Sequence, residues 1–102
     1  MSVVVVATIT PRPDAVDAVR EALLAAVPQV HAEPGCERYA LHEADGVFVM
    51  VERWESQEAL RVHGKAPALT SLGAAIADKL AAPLDVRYLA AVPAGDPEKG
   101  AI

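Results

Sequence analysis

The sequence predicts an α+β domain built on a ferredoxin-like split βαβ sheet, and three observations carry that reading. β-rich runs and helical spacings follow one another in the order strand, helix, strand, strand, helix, strand. An Asp45-Gly46 pair joins the two middle β-rich runs, a strong hairpin signal. The first and third strands are apolar on both faces, which suits the two central positions of such a sheet. Right-handed crossovers then make this topology the leading solution.

The first strand runs through Val3-Val4-Val5-Val6-Ala7-Thr8-Ile9-Thr10, where β-branching disfavours helix. Pro11 and Pro13 stop it, and Asp14 suits the positive end of a starting helix. Val16, Val19, Leu23, Ala26, Val27 and Val30 recur at helical spacing; Pro28 within that pattern is expected to kink or end the helix early. After Glu33-Pro34-Gly35, two strands are expected at Cys36 to Glu43 and Val47 to Trp54. The first of these mixes polar and apolar residues and reads as an edge. The second places Phe48, Met50, Glu52 and Trp54 on one face and Val47, Val49, Val51 and Arg53 on the other.

Ser56 is a good N-cap for a short helix interrupted at Gly64. Pro67 starts another, with Leu69, Leu72, Ile76 and Leu80 on one face and Ala81-Ala82-Pro83 at its end. Leu84 to Val92 alternates as a last strand, and Pro93 onward reads as a frayed tail. The expected organisation is one domain over residues 1–93 and a flexible tail over 94–102. Helices cover one sheet face; the other is left bare although its positions are apolar, which points to a homodimer joined through the sheets.

Composition removes several functions. The 102 residues carry a net charge of −5 without a Lys/Arg cluster, so no nucleic-acid footprint is expected. The single Cys36 excludes an internal disulfide and a Cys-based zinc site. The apolar run Val3–Ala7 is too short to cross a membrane and no basic segment precedes it, so a cytoplasmic protein is expected. Aromatic residues make up only 4% of the chain, so Tyr39, Phe48, Trp54 and Tyr88 each need an address. Both tyrosines fall on outer strands, where their hydroxyls reach water or a partner.

The segment Glu52-Arg53-Trp54-Glu55-Ser56-Gln57-Glu58-Ala59-Leu60, with His63 and then Ala66-Pro67, resembles the antibiotic biosynthesis monooxygenase (ABM) family, which includes quinol monooxygenases. Glu33-Pro34-Gly35-Cys36, Tyr39, Leu41 and His42 resemble its other recurrent stretch, and Arg87 matches a basic position of its last strand. The resemblance covers residues 3 to 92 and implies a dimeric α+β barrel with a pocket between sheet and helices. It further implies a cofactor-independent monooxygenase acting with dioxygen on a quinol, an anthrone-like compound or another phenol. Ala68 and Leu69 depart from members that carry a second His and an aromatic residue there. Val5, His63 and Gly73 stand where haem-degrading relatives use Asn, Trp and His, which argues against haem degradation.

On this reading His63 and Trp54 are the catalytic candidates, while Phe48, Met50, Glu52 and Arg87 contact substrate. Each has a plainer alternative: Trp54 as core, His63 as a packing residue at the helix break, Glu52 as a buried carboxylate paired with Arg87. His42 reads as solvent-facing or interfacial, His31 as a surface residue, and Cys36 as packing. Which of His63, His42 and Glu52 would act as base stays open. An isomerase or lyase on the same scaffold would call for a polar, hydrated pocket. A non-catalytic dimeric binding or stress-response protein would have a sealed core beside Trp54.

Overall fold

A computed structural model describes residues 2–102; Met1, the first residue of the expected domain, lies outside them. The elements are β1 (Val3–Ile9), α1 (Val16–His31), β2 (Cys36–Ala44), β3 (Val47–Trp54), α2 (Gln57–Gly64), α3 (Pro67–Ile76) and β4 (Asp85–Leu89). They form one antiparallel sheet of order β2-β3-β1-β4, the split βαβ arrangement expected from the sequence, with β1 and β3 central.

Strand register sorts the side chains into rows that decide where a site can form. One row across the helix-covered face runs Tyr39, Glu52, Val5, Tyr88, and the next runs Leu41, Met50, Ala7, Val86. Cys36, Trp54 and Val3 flank them on one side, and Glu43, Phe48 and Ile9 on the other. Over this face α1 buries Val19, Leu23, Ala26 and Val30, and α3 buries Ala68, Leu72 and Ile76. The opposite face carries Val4, Val6, Val49, Val51 and Ala40, all half-buried within a single chain.

Several details differ from the expectations. Helix α1 continues through Pro28 to His31, because Pro28 lies in its last turn, where few intrahelical bonds remain to lose. Helix α3 stops at Ile76, so Leu80 leaves the expected helical stripe and bridges Pro11 instead. Strand β4 is shorter than Leu84 to Val92, because only Asp85 to Leu89 find partners along β1. Residues 94–102 form no helix or strand. Tyr39 lies on the edge strand, as expected, but it points under the helices and is buried rather than meeting water.

Candidate functional site

The turn Glu33-Pro34-Gly35 and the start of α2 are built against one another. Gly35 adopts φ +80°, and a Cβ placed on it would lie 2.5 Å from the Ala59 Cβ, so only glycine lets the turn approach the helix this closely. The Glu55 backbone N–H donates to the Gly35 carbonyl at 2.9 Å, and the Ser56 hydroxyl accepts from the Ala59 N–H at 3.1 Å. Ala59 and His63 are one turn apart on the buried stripe of α2. The backbone contact that locks Ala59 therefore also fixes the root of the imidazole.

His63 is 4% exposed and stands among acidic and aromatic groups. Its Nδ1 is 2.8 Å from Glu33 Oε1, and its Nε2 is 3.8 Å from Glu52 Oε1. Trp54 stacks on the ring with centroids 4.3 Å apart, and Tyr39 meets it edge-on at 5.7 Å. The Trp54 indole N–H donates to Glu52 Oε1 at 2.9 Å. Burial pushes the Glu52 carboxyl above the ordinary range; the indole bond and His63 oppose that shift, and nearby Glu33 adds to it. The Tyr39 hydroxyl is also pushed up, by burial and by the two carboxylates, and is un-ionised at neutral pH.

A cavity of about 750 Å³ opens in front of this cluster. Its floor is the two middle rows of the sheet, including Val5, Ala7, Met50, Glu52 and Tyr88, and its walls include Leu60, Leu69, Leu72 and Ile76. His63, Glu52 and Tyr39 bring the buried polar groups, and Gln57, Arg61 and Lys65 stand at the exposed side of α2. A pocket of this size, mostly apolar with a few convergent polar groups, suits a small aromatic ligand. An imidazole facing it can exchange a proton with a bound hydroxyl.

The structure brings together His63, Glu52 and Met50 as lining residues. Trp54, expected as catalytic, and Phe48, expected to contact substrate, lie in the flanking rows instead and are sealed at 0% and 1% exposure. Trp54 serves the site from behind, through the ring stack and the bond to Glu52; Phe48 packs in the core with the Arg20 guanidinium 5.5 Å from its ring centre. Arg87 does not pair with Glu52. It is opposite Val6 in the register, on the far face from Glu52, and its nearest acid is Asp85 at 3.5 Å. His42 is exposed, with Nδ1 3.2 Å from the Ala40 carbonyl oxygen, in keeping with its solvent-facing reading. His31 reaches the Tyr39 carbonyl at 3.0 Å from the surface. Burial raises the Cys36 thiol, the direction of an inert packing cysteine.

Two participants, Glu33 and Tyr39, entered the sequence reading only as members of the family-like stretch, without a role at the site. Glu33 precedes a forced Pro-Gly turn, and Tyr39 shares a sheet row with Glu52; the turn gave a signal for the first, the alternation of β2 for the second. Among the described residues no group of three His, Cys, Asp or Glu side chains is placed to hold a metal, and no helix is long and apolar enough to cross a membrane.

Comparison with known proteins agrees with this geometry. The family model for antibiotic biosynthesis monooxygenases matches residues 2–72. A Mycobacterium tuberculosis protein named "Putative monooxygenase Rv0793" is 38% identical over 90 residues, which cover 86% of this chain and 89% of the relative. The solved structure of Rv0793 superimposes with a TM-score of 0.86 at 35% identity, covering 94% of this chain and all of that one (100%). A Caulobacter crescentus structure, described as a "putative antibiotic biosynthesis monooxygenase", gives 0.83 at 30% identity over 89% and 90% of the two chains. The sequence match and these likenesses establish that the chain belongs to the antibiotic biosynthesis monooxygenase family.

Proposed function

We propose that the protein is a cofactor-independent monooxygenase that oxidises a quinol, an anthrone-like compound or a related phenol with dioxygen. The observation that carries this reading is the apolar cavity with His63 and Glu52 at one end. Leu69 stands where many relatives carry an aromatic residue, and it extends the apolar wall toward a flat ring system.

The chemistry asks little of the protein. His63 takes the phenolic proton, and the phenolate, an electron-rich carbanion equivalent, reduces dioxygen directly. Carbon–oxygen bond formation gives a hydroperoxide, whose O–O bond breaks as a proton leaves the same carbon, yielding a carbonyl and water. For an anthrone the balance is CH2 plus O2 to C=O plus H2O, so the substrate supplies all four electrons. The apolar walls exclude water and orient the ring, and the imidazolium formed on His63 returns the proton to the departing oxygen. Glu52, with its carboxyl pushed up, is the second group able to hold a proton beside the substrate.

We further propose that the chain acts as a homodimer in the cytoplasm, paired through the bare sheet face. Val4, Val6, Val49, Val51 and Ala40 support this, since such an apolar patch is rare on a monomer. A monomer in sedimentation at micromolar concentration would rule the dimer out.

The catalytic reading is tested by dioxygen uptake with a naphthoquinol and a polycyclic anthrone. Acceleration over buffer that His63→Ala abolishes is expected. No acceleration with either compound would overturn the phenol-oxygenase reading.

A further inference from the structure

We propose that Glu33 is the positioning residue of the site: it accepts the Nδ1–H of His63 and so turns the Nε2 lone pair toward the cavity. The inference deepens the function proposed above by assigning the tautomer of the base on which that function rests.

A carboxylate is an acceptor only, so the 2.8 Å contact between Glu33 Oε1 and Nδ1 places the imidazole proton on Nδ1. A neutral imidazole carries one proton, which leaves Nε2 as the free base. Nε2 makes no hydrogen bond among the described residues, and its nearest carboxylate oxygen, Glu52 Oε1, is 3.8 Å away and already engaged by the Trp54 indole N–H. Nε2 is thus left without a hydrogen-bond partner while His63 lines the cavity.

The Glu33 carboxylate is delivered by backbone rather than by a flexible chance meeting. The Glu33 N–H donates to the Val30 carbonyl at 3.0 Å, the Cys36 N–H to the Glu33 carbonyl at 3.3 Å, and Gly35 seats the turn on Ala59. Glu33 Oε2, by contrast, is buried without a partner. A buried acceptor left open costs free energy, and the Nδ1–H of His63 is the side-chain donor this carboxylate has among the described residues. Around the ring stand Glu52 and Trp54 from β3 and the un-ionised Tyr39 from β2, while Arg61 and Lys65 line the same cavity from α2 as cations that oppose an imidazolium.

Imidazole-15N NMR of the full chain tests the proposal without any substrate. In the wild type at a pH where His63 is neutral, the Nδ1–H form is expected, with an unprotonated Nε2 resonance; His63→Gln identifies the signals. In Glu33→Gln the amide oxygen can still accept from Nδ1, but the charge that faces the imidazolium is gone. In dioxygen uptake the same variant should lower kcat with KM little changed. A proton found on Nε2 in the wild type, or an unchanged kcat in a folded Glu33→Gln, would overturn the proposal. The wild-type tautomer decides the matter even where the variant folds poorly. Absence of oxygenation would fail the proposed function alone, since the tautomer is read in the resting protein.

Discussion

The middle and outer rows of the helix-covered sheet face are built from neighbouring residues of one strand, yet they do opposite things. Phe48 and Trp54 in the outer rows are sealed beneath the helices, while Met50 and Glu52 between them floor a cavity of about 750 Å³. All four are buried and all share one face of β3. What separates them is what stands above: packed side chains over the outer rows, and over the middle rows a space bounded by two short helices. Burial within a strand therefore does not distinguish core from site. The helix break at Lys65 and Ala66 does, because it divides the second crossover into α2 and α3.

This contrast is most easily broken at Trp54. Trp54→Ala removes an outer-row ring and is expected to cost about 3–5 kcal/mol in urea unfolding, enough to unfold much of a small domain. Trp54→Phe keeps the bulk but strips Glu52 of its indole donor, with an expected cost of about 1–3 kcal/mol. If either variant left stability unchanged, the outer row would not be core. In the middle region, His63→Ala is expected to lower kcat by about 10²–10⁴-fold while the chain stays folded. Retained activity in a folded His63→Ala protein would remove His63 from the site.

Glycine provides a sharper separation of stability from function. Gly73 lies inside α3, lines the cavity, and a Cβ there would meet nothing within 4 Å. Gly73→Leu should therefore stabilise the helix by about 0.5–1 kcal/mol while filling the cavity and weakening substrate turnover. A loss of stability would mean that α3 is seated more tightly on the sheet than the open space at Gly73 indicates.

A smaller effect is expected in the pH dependence of stability. The Glu52 carboxyl is held above its ordinary value, so the folded chain keeps a proton that the unfolded chain gives up. Its contribution is fully present below the ordinary carboxylate range and is lost as pH rises through that range toward the raised value. Glu52→Gln, whose amide oxygen can still accept from Trp54, should flatten this loss and raise stability near neutrality by about 1 kcal/mol. An unchanged pH profile would contradict the raised carboxyl. The smallest effect on turnover is expected for Arg87→Ala: the side chain is on the far face, away from the cavity and beside Val6 of the proposed dimer face, so turnover should stay close to wild type and any change should be read in the dimer.

Much of this layout can be read from the chain, since its local signals agree with one another. Two-sided apolarity placed β1 and β3 at the centre, Asp45-Gly46 closed the hairpin, and alternation put Glu52 beside Trp54 on one face. The site was legible only in part: His63, Glu52 and Met50 line the cavity, and Trp54, Phe48 and Arg87 do not. Alternation states which residues share a face, while the covering of each row depends on helices distant in sequence. That is why Trp54 and Phe48 looked like site residues, and why Tyr39 on an edge strand looked solvent-facing. Arg87 was misplaced as the partner of Glu52 because the β1–β4 register sets its face, and register is a pairing property rather than a local one. Glu33 was given no role because a residue at a turn acquires meaning only from what the turn is packed against.

Whether a phenol loses its proton in the cavity before His63 is decided by dioxygen uptake with a naphthoquinol, compared across wild type, His63→Ala and Arg87→Ala at matched folded concentration. Rapid uptake is expected for wild type and Arg87→Ala, with a collapse toward buffer for His63→Ala. Equal uptake by wild type and His63→Ala, or a collapse in Arg87→Ala alone, would contradict it.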